Sequence, residues 1–189
     1  MSIVSVLYHS GFGHTKVQAE AVAKGAESVE GTTVHLISVD EFEAKQDLLN
    51  SSDAIIFGAP TYMGSLSAPF KTFMDASGTI WYQGLWKDKL AAGFTNSGAQ
   101  SGDKLNSLIQ LAIFAAQHGM IWVGLDLKPG NNTSEGSPED LNRLGVWLGA
   151  ASQSNNDQGP DIVPPDSDKR TAEYLGRRVA EQLLRFSGK

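Results

Sequence analysis

Short unbroken hydrophobic runs alternate along the chain with longer stretches of helical period, the pattern of strands and helices in regular succession. The opening run, Ile3 to Tyr8, is apolar and β-branched; after Gly11-Phe12-Gly13 a helix is expected from His14 to Val29, with Val17, Ala21 and Ala23 along one face. Val34 to Val39 reads as a second strand, and Glu41 to Asn50 as a short helix carrying Phe42, Leu48 and Leu49. Ala54-Ile55-Ile56-Phe57-Gly58 has no polar position, as a strand covered on both faces requires, and is expected to end at Pro60. A helix over Ser65 to Ser77, a strand over Leu90 to Asn96, a helix over Lys104 to His118 and a strand over Met120 to Leu125 follow. Thr171 to Phe186 closes the chain as an amphipathic helix with Leu175, Val179, Leu183 and Leu184 on one side.

Strands that alternate with helices imply an α/β fold: a five-stranded parallel sheet between two helical layers, forming one domain over residues 1–189. The segment from about 126 to 166 is rich in Gly, Asn, Ser, Pro and Asp and is too long for an ordinary connection. Within it Ser137-Pro138-Glu139-Asp140 has the marks of a helix start: a Ser cap, Pro in the first helical position and acids in the first turn. A helix to about Ala151 is expected, its face of Leu141, Leu144, Trp147 and Leu148 packing on the sheet or on another subunit.

Composition narrows the function more than the fold. With 41% hydrophobic and 19% charged residues a packed core forms without staples. The absence of cysteine removes disulfides, cysteine-ligated clusters and thiol redox chemistry, so a redox protein of this sequence needs a borrowed electron carrier. A net charge of -6 without a basic stripe argues against nucleic acid as a partner. No cationic leader precedes Ile3 and no apolar run reaches the roughly 20 residues of a membrane span, so a cytoplasmic protein without membrane insertion is expected.

Ligands of such a sheet sit beyond the carboxyl ends of the strands, where strand order reverses. Three loops there carry chemistry. In Ser10-Gly11-Phe12-Gly13-His14-Thr15, hydroxyls and glycines converge on a helix amino terminus, which suits a phosphate and equally suits a capped turn. Pro60-Thr61-Tyr62-Met63-Gly64 sets an aromatic and a thioether among rigid positions, fit for a flat ring or for a stiffened buried turn. Asn96-Ser97-Gly98-Ala99-Gln100-Ser101-Gly102 offers hydroxyls, amides and N–H groups to a polar ring edge, or is a solvated turn. The dinucleotide fingerprint fails because Lys16 stands at its third glycine, and the G-x-x-x-x-G-K-[ST] phosphate loop is absent. A receiver domain fails because Tyr8-His9-Ser10 and Gly58-Ala59-Pro60 stand where its acids belong.

Taken together, the phosphate loop, Gly58-Ala59-Pro60-Thr61-Tyr62-Met63-Gly64 and Gln117-His118-Gly119-Met120 resemble the WrbA-type family of flavodoxin-like NAD(P)H:quinone oxidoreductases. The resemblance runs to about Gly124 and implies a flavodoxin-like sheet of order 2-1-3-4-5. It also implies FMN, with its phosphate on Ser10 to Thr15, its ring against Pro60 to Gly64 and its polar edge against Asn96 to Gly102. NAD(P)H would be the electron donor, a quinone or similar small molecule the acceptor, and the assembly a homodimer or homotetramer with sites completed by neighbouring subunits. Trp81 and His118 match the tryptophan and histidine that the family sets beside the flavin. On the residues alone, His118 before Gly119 fits a helix end, and Trp81, Tyr82 and Trp86 fit core or subunit interface. The chain departs from the family in a shorter stretch over Ser38 to Asp53 and in lacking its tyrosine-glycine-rich loop after Gly124. A one-electron flavodoxin is the rival, although Asn96 to Gly102 has no aromatic to close the outer flavin face. A flavin-free binding protein on the same scaffold is the third possibility.

Overall fold

The computed structural model describes residues 2–186. Strand β1 (Ser2–Tyr8), helix α1 (His14–Glu27) and strand β2 (Thr32–Ser38) lead into a single 3-10 turn (Val39–Glu41) and the short α2 (Gln46–Ser51). There follow β3 (Ala54–Tyr62), β4 (Ser65–Leu66), α3 (Ala68–Ala76), α4 (Gly78–Gln83), β5 (Leu90–Ser97), α5 (Lys104–Gln117), β6 (Ile121–Trp122), β7 (Ala150–Gln153) and α6 (Asp166–Phe186). The sheet has seven strands, more than the five expected. Its main path, β2-β1-β3-β5-β6, is parallel and follows the expected order, reversing direction between β1 and β3.

Each face of the sheet has its own core. On one side α1 and α6 cover Val4, Val6, Ile56, Ala92 and Phe94. The two helices approach closely because glycine stands at the crossing: a Cβ on Gly25 would lie 1.9 Å from the Glu173 carbonyl oxygen, and one on Gly176 equally close to that of Val22. On the other side Phe57, Phe73, Trp86 and Phe114 form an edge-to-face and tilted aromatic cluster, with centroids 5.4 to 6.4 Å apart.

Several expectations are corrected. The helix expected over Ser65 to Ser77 begins only at Ala68, because Ser65–Leu66 pairs with β3 as β4, and that expected over Glu41 to Asn50 is split into the 3-10 turn and α2. Pro60 does not end β3: the strand runs on to Tyr62 with Pro60 opposite Asn96, then turns back into the antiparallel β4. The strand expected over Met120 to Leu125 is reduced to β6, opposite Leu90 and Ala91, and the chain then leaves the sheet. It returns as β7, which completes the same edge opposite Phe94 to Ser97. The base of this excursion is closed by Trp122 Nε1 donating to Leu148 O (2.9 Å) and by Leu125 N donating to Trp147 O (3.0 Å).

No helix forms over 137–151, and the start signals are consumed locally. The Asp140 carboxylate accepts from the N–H groups of both Asn131 and Ser137, each at 2.9 Å. Asn142 (φ 49°) and Gly145 (φ 68°) then take left-handed conformations that stop helix propagation. Asn142 is buried and ties the loop together: its Nδ2 donates to Leu127 O and its Oδ1 accepts from Val146 N. The excursion therefore packs through hydrogen bonds rather than a helical apolar face, and Trp147 stays half exposed. Among the described residues no helix is long and apolar enough to cross a membrane.

Candidate functional site

A cleft of about 960 Å³ opens beyond the carboxyl ends of β1, β3 and β5. All three loops singled out from the sequence meet in it. Ser10, Phe12, His14, Thr15, Pro60, Thr61, Tyr62, Met63 and Gly64 line it, as do Asn96, Ser97, Gly98, Ala99 and Gly102. Gly11 lies behind, against the Tyr62 hydroxyl, Gly13 packs on Pro160, and Gln100 faces a neighbouring shallow groove. A fourth wall, Ser154, Asn156, Gln158 and Gly159, was not anticipated from the sequence. It arrives because β7 pairs with the upper half of β5, which sets the following turn beside the first three loops. A polar strand of Ala-Ala-Ser-Gln carries no hydrophobic signature that would have revealed it.

One end of the cleft is built to receive an anion. Gly13 caps α1 at φ 89° with no side-chain cap, and its position against Pro160 leaves no room for a Cβ, which would lie 2.8 Å from the ring. Among the described residues the backbone N–H groups of Phe12, Gly13, His14 and Thr15 have no acceptor; the Lys16 N–H is taken by Ser10 Oγ at 3.1 Å. Unclaimed N–H groups at a helix amino terminus, reinforced by the dipole, favour a phosphate without any cation. His14 is held over this end by Nε2 donating to Gln158 O at 2.9 Å.

The middle is lined by aromatic and thioether side chains. Tyr62-Met63-Gly64-Ser65 is a two-residue hairpin turn whose central residues both have positive φ, 49° and 79°, as a type I′ turn requires. Methionine is an uncommon choice at such a position, and it projects fully exposed at the cleft rim. Tyr62 meets Phe12 edge-on at 6.3 Å between centroids, and burial raises its phenol pKa. Beneath, the buried hydroxyls of Thr61, Thr95 and Ser107 are linked at 2.7 to 2.8 Å, and Asn106 Nδ2 donates to Gly64 O at 2.6 Å.

The far wall is polar. Asn96 Oδ1 accepts from the hydroxyls of Ser152 and Ser154, both at 2.9 Å, which turns its Nδ2 toward the cleft with no partner among the described residues. Ser154 N donates to Ser97 O and Gln153 Nε2 to Gly98 O, so β7 fastens this loop from outside.

Sequence and structure comparisons decide the lineage. Residues 13–126 match the model of the family described as NADPH-dependent FMN reductase. The chain belongs to that family. It is 44% identical to "Flavodoxin FldP" of Pseudomonas aeruginosa, over 95% of this chain and 96% of that protein. It is 31% identical to an "NAD(P)H dehydrogenase (quinone)" of Acidithiobacillus ferrooxidans over the full length of both. Among solved structures it superposes on a WrbA-like flavodoxin from Agrobacterium tumefaciens with a TM-score of 0.77 and 38% identity, covering 98% of this chain and 99% of that one.

The histidine and tryptophan carried over from WrbA-type relatives do not join the family's cleft within one chain. The cleft lies at the start of α5 and His118 at its end, about 20 Å away along a 14-residue helix. His118 is buried, stacked between Trp86 and Phe114 with centroids 4.6 and 4.7 Å away, and its Nε2 pairs with Ser77 Oγ at 3.0 Å. Burial pushes its pKa down to about 4, so the ring is neutral at physiological pH. Trp81 lies half exposed on α4, just after Ser77 and at the same remote end. Either residue reaches a cleft only across an interface with another copy.

Proposed function

We propose that the protein is an FMN-dependent oxidoreductase that takes two electrons from NAD(P)H and passes them to a quinone or similar small acceptor, the two substrates using one site in turn. The observation that carries this reading is the match between the cleft's unclaimed groups and the parts of FMN. Free N–H groups of Phe12 to Thr15 face where a phosphate sits, the surface of Tyr62 and Met63 suits a flat ring, and the Asn96 amide offers a donor to a polar edge. The volume lies within the range of small-molecule sites. Bound FMN would supply the hydride and electron chemistry that no side chain here can perform.

The residues bind, orient and shield. Ser10 and the amino terminus of α1 hold the phosphate end, Tyr62 and Met63 support the ring, and Asn96 to Gly102 fix its polar edge. The loop after β5 brings no aromatic to close the cleft, which leaves room for a nicotinamide or a quinone. Trp81, half exposed, would serve a neighbouring subunit's substrate in a homodimer or homotetramer, whereas His118 would reach it only if its packing against Trp86 and Phe114 opened at that interface. The names of relatives at 31% identity, NAD(P)H dehydrogenase (quinone), support the enzymatic reading.

A second reading, a one-electron carrier for protein partners, is favoured by the name of the 44% identical relative. Steady-state oxidation of NADH and NADPH by the FMN-loaded protein, with and without benzoquinone, separates the two. Quinone-dependent turnover with parallel double-reciprocal lines is expected; bound FMN with negligible nicotinamide oxidation would establish the carrier instead.

A further inference from the structure

Lys104 is the first residue of α5 and only 1% exposed. Its position is doubly unfavourable for a cation: the interior strips its water, and the positive end of the helix dipole repels it. Asp103, the cap before it, makes no side-chain cap hydrogen bond and sits at φ 55°. The ammonium turns back under the cleft wall instead. It donates to Ser97 Oγ at 2.5 Å, to Ala99 O, and to Gln100 O at 3.2 Å, and Ser97 itself lines the cleft. Those contacts use all three of its protons. The charged groups acting on it are Asp168 of α6, which favours the ammonium, and Arg143 of the excursion, which opposes it. These two are bound to each other at 2.8 Å, so neither neutralises Lys104. Burial lowers its pKa to about 8, leaving it mostly charged at neutral pH.

We propose that Lys104 is a positioning residue that shapes the Ser97–Gln100 wall and sets a buried positive charge behind it, so that the cleft holds reduced FMN more tightly than oxidised FMN relative to a neutral wall. The proposal rests on the FMN reading above. An anionic ring edge gains most from a nearby cation where water is excluded, and charge placed near a flavin's polar edge is an established lever on its electronics. Ser97 Oγ accepts from the ammonium and donates to Ala99 O at 3.3 Å, so the charge is tied to the wall that the ligand would meet rather than exposed in the cleft.

The test is the two-electron midpoint potential of bound FMN, from dye equilibration, with oxidised-FMN affinity from fluorescence quenching as a check on folding. Lys104→Gln keeps an N–H donor and removes the charge; Lys104→Met removes both. Both variants are expected to lose reduced-FMN affinity at least tenfold more than oxidised-FMN affinity, a fall in potential of about 30 mV. Met should weaken oxidised FMN more than Gln does, since only Met releases the loop. The unmodified protein supplies a measurement that needs no variant. Above about pH 8, where Lys104 deprotonates in the oxidised complex, reduction takes up one further proton, and the potential should fall more steeply by about 30 mV per pH unit. An unchanged potential in a variant that still binds oxidised FMN overturns the proposal. If neither variant binds FMN, a constant slope from pH 7 to pH 10 in the unmodified protein does so. Failure of the unmodified protein to bind FMN would instead defeat the functional reading on which this rests.

Discussion

Asp168→Asn tests how far the cleft depends on an ion pair that touches no ligand. Asp168 is 1% exposed and meets Arg143 in a fork, Nε to Oδ1 and Nη2 to Oδ2, each at 2.8 Å. Oδ2 also accepts the Gln153 N–H at 2.9 Å, which joins the pair to β7 and, through the Gln153 side chain, to Gly98 of the cleft wall. The substitution preserves volume, so no cavity enters the account. It leaves the Arg143 guanidinium, itself largely buried, facing a neutral amide. Breaking a buried pair by removing one partner costs about 3–5 kcal/mol. The lower figure applies here, because the amide oxygen can still accept from one donor. For a chain of this size about 3 kcal/mol corresponds to a fall in Tm of roughly 6–12 °C. Thermal unfolding of the FMN-free protein followed by circular dichroism measures it. A Tm within 2 °C of the unsubstituted protein would refute the argument, by showing that the pair is solvated in solution. Replacing both partners with apolar residues, Arg143→Met with Asp168→Leu, should recover part of the loss, since the uncompensated charge is then gone while the Gln153 N–H loses its acceptor.

Two further outcomes follow from the same geometry. Asn96→Asp still accepts from the hydroxyls of Ser152 and Ser154 but replaces the donor facing the cleft with an anion; the variant should fold and bind FMN at least tenfold more weakly, about 1.4 kcal/mol, and unaltered affinity by fluorescence quenching would remove Asn96 from the site. His118, neutral in the folded chain with a pKa near 4, takes up a proton more readily once unfolded, so its contribution is fully present above pH 6.5 and lost as pH falls toward 4. Urea denaturation should show about 3 kcal/mol less stability at pH 4 than at pH 7 from this residue, and His118→Gln should flatten the pH profile by that amount; parallel profiles would contradict the burial argument.

Most strands and helices from β1 to α5 were legible because they depend on local pattern; the two-residue β4 and the short α4 were not, being too brief to carry a periodic signal. Ala54 to Phe57 has only one way to hide its side chains, as a covered strand, and the glycine-punctuated stretch before His14 announces a helix start beyond a strand. The three loops of the cleft were legible for the same reason: residues suited to a phosphate, a ring and a polar edge stand at strand ends, and strand order brings those ends together. What only the tertiary structure decided involves partners distant in the chain. Ser137 to Asp140 carries sound helix-start chemistry, yet Asp140 is spent on Asn131, and Asn142 on Leu127 and Val146, so the local preference yields to long-range hydrogen bonds. Ala150 to Gln153 became a strand because the upper edge of β5 was open to pairing, and that brings Ser154, Asn156, Gln158 and Gly159 to the cleft. Lys104 reads in sequence as an ordinary first-turn lysine; only the fold shows its charge buried beneath the cleft wall. His118 reads as a site residue and lies a helix length away, because a motif records residue types and not the end of the sheet at which a helix finishes.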